Sequence, residues 1–110
     1  MIIKEEWVHD AVNYLLEASG PAAAAKGMVI RNDYNRRKVR AKLILEAPHS
    51  SHGMREAYAE AHADYEAACE ALARSEEIYE GHRNERNKCE LIIEAWRTQS
   101  ATVRGLGRVA

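Results

Sequence analysis

The stretch GMREAYAEAHADYEAACEALARSEEIYEGHRNERNKCELIIEAWRT, residues 53–98, decides the fold. Within it Met54, Tyr58, Ala61, Tyr65, Ala68, Leu72, Ser75, Tyr79, His82, Arg86, Cys89, Ile93 and Trp96 recur in alternating steps of four and three, the spacing of one stripe along one helix face. No proline interrupts the run, so the spacing predicts a single helix from Gly53 to Thr98, roughly 65–70 Å long at 1.5 Å per residue. A rod of that length does not form the core of a globular enzyme by itself. It must lay its stripe against another helix, from the same chain or from a second copy.

Upstream, Ile3, Trp7, Ala11, Tyr14 and Ala18 share a stripe flanked by Val8, Val12 and Leu15, which reads as an amphipathic helix. Ser19-Gly20-Pro21 then interrupts, because Gly20 can end one helix, Pro21 suits the first turn of the next and Ser19 can cap it. A kink and a reversal are both compatible with this triplet. A second helix is expected from Pro21 to Glu46, with Ile30, Tyr34, Ala41 and Ile44 on its apolar stripe and Val29, Val39 and Leu43 beside them. Residues 47–53 form the clearest loop. The tail 101–110, with Gly105 and Gly107 and little to bury, is expected to be disordered beyond a single helical domain spanning 1–100.

The two arms have similar lengths, so the first folds back along the second in a register where position x faces roughly position 100−x. This sets Leu43 near Ala57, Ile30 near Leu72, Trp7 near Ile93 and Ile3 near Trp96. It also brings the basic run at 36–42 toward Glu56, Glu60 and Asp64. The expected class is therefore all-α: an elongated antiparallel helical hairpin, or three-helix arrangement, with one long coiled-coil-like C-terminal helix. The rival is a compact bundle in which the first helix turns back at Gly20 and bares one end of the long helix, inviting a homodimer.

Composition narrows the function. The 110 residues carry a net charge of −1, no Phe and 30% charged residues, which suits close-packed Ala-rich helices. That balance hides a division: residues 26–42 hold seven basic side chains against Asp33, and residues 55–94 hold eleven acidic against five basic. No run of apolar residues is long enough for a membrane span or an export signal, and Cys69 and Cys89 lie about 30 Å apart on a straight helix, too far to bridge. Free thiols point to a reducing cytosol.

Arg36, Arg37, Lys38 and Arg40 are the first candidate binding residues, since clustered cations meet phosphates and Tyr34 among them can stack on a base. The plainer alternative is that they answer the acidic start of the long helix. Glu76, Glu77 and Glu80, with Glu70, form the second candidate face, a row of carboxylates able to imitate nucleic-acid phosphates in a basic groove. Ser75, His82 and Arg86 are polar steps in the seam that either fix register or lie where the helices diverge. His49 with His52, and His82 with Cys89, lack the four-ligand spacing of a structural zinc site, and no phosphate-cradling glycine loop, nucleophile elbow or dinucleotide fingerprint is present. No enzyme, cofactor or metal is expected.

Taken together, Ala11-Val12-Asn13-Tyr14-Leu15-Leu16-Glu17 through Lys42-Leu43, Arg55-Glu56-Ala57-Tyr58-Ala59, and Ile92-Ile93-Glu94-Ala95-Trp96-Arg97-Thr98-Gln99 resemble small helical proteins encoded by temperate phages and prophages among recombination and replication genes. The loop at 48–52 and the tail after Ser100 depart from that pattern. The resemblance implies a cytosolic, non-catalytic role around DNA and brings no active site. The expected function is steric inhibition of a host defence complex, a CRISPR effector or nuclease, through contact with a host protein or ribonucleoprotein. Two alternatives stand beside it: a recombination accessory that binds single-stranded DNA, and a purely structural coiled-coil dimer.

Overall fold

A computed structural model describes residues 2–109, with side-chain surroundings for residues 2–107. The chain forms three helices, α1 (Glu5–Glu46), α2 (His52–Ala61) and α3 (Ala63–Val109), and no strand among the described residues. Its contacts group into two compact units, Met1–Ala22 with Gly81–Ala110 and Ala23–Glu80.

Three local expectations need correction. Gly20-Pro21 is neither an end nor a reversal: α1 is assigned as helix through both residues, and no glycine takes a positive φ. Pro21 removes the bond to the Glu17 carbonyl, but both residues face solvent, where water can satisfy the freed oxygen. The long helix, in turn, is broken at His62. Its backbone is extended, with φ −75° and ψ 141°, while its N–H donates to the Ala59 carbonyl and closes α2. The same residue opens α3: Nδ1 accepts from the Asp64 N–H at 3.0 Å, and the carbonyl accepts from Tyr65 and Glu66. Finally, helix continues where a disordered tail was expected, from Ala101 to Val109, with Thr102 and Arg104 donating to carbonyls one turn back.

In the first unit, the start of α1 runs antiparallel to the end of α3. The Ile3 N–H donates to Gln99 Oε1 at 2.8 Å and Gln99 Nε2 donates back to the Ile3 carbonyl at 3.0 Å, a reciprocal amide pair that anchors the chain ahead of α1. Ala11, Ala22 and Cys89 are the buried side chains of this unit among the described residues.

The second unit pairs residues 23–46 with α2 and the start of α3. Ser51 caps α2 by accepting from the Met54 N–H at 3.1 Å, and the extended chain before it is held by Arg55 Nε on the His49 carbonyl. Across the unit, Asn32 Nδ2 donates to the Ala71 carbonyl, Arg36 reaches Tyr65 and Arg40 reaches Glu60. Together with Ile3 and Gln99 in the first unit, each pair falls within three residues of the expected register.

The seam residues Ala68, Ser75 and Cys89 are buried as their spacing requires. Ser75 settles its own hydrogen bond within the helix, donating to the Leu72 carbonyl at 2.8 Å, and Arg86 lies exposed. The buried stripe of α1 in the second unit differs from the expected one. Ala25 and Leu43 face inward, whereas Ile30 and Tyr34 are 61% and 71% exposed. The helix is rotated because Asn32, Arg36 and Arg40 take inward or flanking positions and use their reach for specific partners.

Candidate binding surfaces

The basic run is drawn largely into internal pairs. Asp33 sits one turn before Arg36 and Arg37, and its two oxygens take one arginine each, both at 3.0 Å. Arg36 also donates from Nη1 to the Tyr65 hydroxyl at 3.3 Å. The bond to Asp33, then that to Tyr65, raises the already high pKa of the Arg36 guanidinium. Its Nε is buried without a partner among the described residues. Arg40 bridges Glu60 at 3.1 Å and Glu56 at 3.5 Å across to α2. Asp64, the third expected acidic partner, instead stands beside His62.

What remains open is a narrower set. Lys38, Arg31 and Lys42 are exposed and form no ion pair among the described residues. Ile30, Tyr34 and Lys38 are spaced four apart, so they form one ridge on α1, facing away from the buried Leu43 side, with Arg31 next to it. Arg37 borders the same ridge and is 72% exposed despite its pair with Asp33. From sequence, Ile30 and Tyr34 share the expected apolar stripe and only Tyr34 is also a candidate for stacking beside the basic run, so the exposure of Ile30 is the unexpected part of this ridge. The signal that separates the two assignments is the polar series Asn32, Arg36 and Arg40, whose hydrogen-bonding side chains suit a seam flank.

On α3, Glu76 and Glu77 are exposed without a hydrogen bond or ion pair among the described residues, and Glu80 is exposed but engaged. The structure thus places the acidic candidates on the solvent side of the helix that Ser75 anchors inward.

Each unit carries a concavity among the described residues. One, of about 420 Å³, lies in the second unit between Val39, Leu43 and Ala68 and is rimmed by Lys42, Glu46 and Asp64. The other, of about 650 Å³, is an apolar groove in the first unit between residues 3–14 and 85–95. At its floor Cys89 is 4% exposed, and burial, reinforced by Glu85, pushes its thiol pKa up, which suits packing better than nucleophilic chemistry. His49 packs edge-on against Tyr58, which also meets the His62 ring, and His52 pairs with Glu56. No group of three or more His, Cys, Asp or Glu side chains is placed to hold a metal among the described residues. No helix among them is long and apolar enough to cross a membrane.

Compared with protein-family models, curated proteins and solved structures, the chain matches none of them. Its functional reading therefore rests on its own residues.

Proposed function

We propose that this is a non-catalytic binding protein that sterically occupies a nucleic-acid-processing complex, of the kind a temperate phage directs against a CRISPR effector or nuclease in the host cytosol. The observation that supports this reading is the α1 ridge, where Ile30 and Tyr34 stand exposed beside Arg31 and Lys38, cations without an ion pair among the described residues. Exposed apolar and aromatic side chains supply the desolvated anchors of an interface, and neighbouring cations select an anionic or nucleic-acid-bearing partner. Glu76 and Glu77 offer a complementary contact toward a basic groove.

A second reading, an accessory that binds single-stranded DNA directly, draws on the exposure of Tyr34, because aromatic faces stack on bases without regard to sequence. Against it, Arg36, Arg37 and Arg40 would have to leave their carboxylates before meeting phosphate.

The test is capture of partners by the tagged protein from bacterial lysate with and without nuclease treatment, together with a plasmid-interference assay. One defence complex retained after nuclease treatment, lost with Tyr34→Ala/Lys38→Ala, and accompanied by relief of interference is the expected result. Partners recovered only while nucleic acid is intact would transfer the assignment to the DNA-binding accessory.

A further inference from the structure

The apolar groove of the first unit leaves large side chains partly in water. Trp7 and Tyr14 of α1 and Ile92 of α3 line it without being buried, and Leu91 on its wall is 69% exposed. Two helices cover only one flank of each other's wide apolar faces, so the remaining flank stays wet until further helices meet it.

We propose that a second copy of this chain fills the groove, docking face to face about a two-fold axis so that four helical segments enclose one core. Charge on the rim favours this occupant. Asp10 is exposed without a partner among the described residues, and Lys88 is held only by a long, exposed contact to Glu85 at 3.8 Å. In the antiparallel register anchored by Ile3 and Gln99, Asp10 lies near Ile92 and Lys88 near Tyr14, about one turn apart along the groove. A two-fold axis between those levels brings Asp10 of each copy to Lys88 of the other. It also turns each Leu91 into the opposite groove. An isologous contact requires such a self-complementary patch, with both signs and the apolar centre supplied by one sequence.

Sedimentation velocity of the full chain over a concentration series tests the proposal. The wild type is expected to approach twice the 12.4 kDa chain mass. Leu91→Glu, at a position already exposed and so harmless to each copy's own fold, should keep its helical circular dichroism and weaken self-association by more than about tenfold. Asp10→Lys and Lys88→Asp should each weaken it, and the two combined in one chain should restore it. A wild type that stays at chain mass at every concentration overturns the proposal, as does a Leu91→Glu dimer of unchanged affinity. A double charge swap no tighter than either single swap would also overturn it.

Discussion

Cys89 and Cys69 differ in environment more than in sequence context. Cys89 is buried and its thiol pKa is pushed up by burial, whereas Cys69 is partly exposed. Below the ordinary thiol pKa of about 8.5 both folded and unfolded chains keep the Cys89 proton, and its contribution to stability is fully present. Above it the unfolded chain ionises first, so that contribution is lost as pH rises toward the higher folded value. Thiol-reagent kinetics on the native protein should show Cys69 reacting first and Cys89 only on unfolding, read cleanly in Cys69→Ser. Asn32 and Arg40 make a second contrast. Asn32→Ala abandons the Ala71 carbonyl in a partly buried seam and should lower stability by about 1 kcal/mol in urea titration. Arg40→Ala breaks pairs that are a third or more exposed and should cost well under about 1 kcal/mol. The Arg40 contact to Glu56 and Glu60 was legible in the sequence, because it follows from register and sign alone. That Arg36 reaches Tyr65 was not, since it depends on the rotation of α1 about its own axis.

At the scale of the helices, periodicity gives direction and length well and interruptions poorly. The steps of four and three pass through Tyr58, Ala61 and Tyr65 unaltered, yet the backbone leaves the helix at His62 between them. Histidine is not among the usual capping residues, and its role here depends on Nδ1 being unprotonated and aimed at the Asp64 N–H. His62→Ala removes that acceptor and the ring beside Tyr58, with an expected loss of about 1 kcal/mol by chemical denaturation. Pro21 errs the other way: a residue that usually marks a boundary sits inside a helix. Pro21→Ala should therefore stabilise the protein, by up to about 3 kcal/mol. Gly27→Ala should add about 0.5–1 kcal/mol, because a Cβ at Gly27 meets nothing within 4 Å. Both gains would appear as a higher thermal midpoint.

Over the whole molecule, opposite charges largely answer each other: Ala23–Glu80 holds nine basic side chains against ten acidic, although the basic run lies within it. If single-stranded nucleic acid were bound, Arg31, Lys38 and Lys42 would set the response to salt, giving a slope of log K against log salt of roughly −2. A slope twice as steep in fluorescence anisotropy would mean that Arg36, Arg37 and Arg40 had left their carboxylates. The all-helical class and the pairing register were open to reading because both follow from repeating apolar and charged positions. The exposed ridge was only half legible, because Ile30 has a core residue's chemistry on the solvent side, whereas Tyr34 already stood out beside the basic run. One property of the interior reverses the usual experience of mutagenesis. Six of the nine buried residues among those described are alanines, Ala59 being sealed completely. Truncation has almost nothing to remove there, so a conventional alanine scan would pass over the interior in near silence. A leucine scan would find it, with Ala59→Leu and Ala68→Leu forcing the helices apart at a cost of about 1–3 kcal/mol each. The variants this protein tolerates least are those that enlarge it.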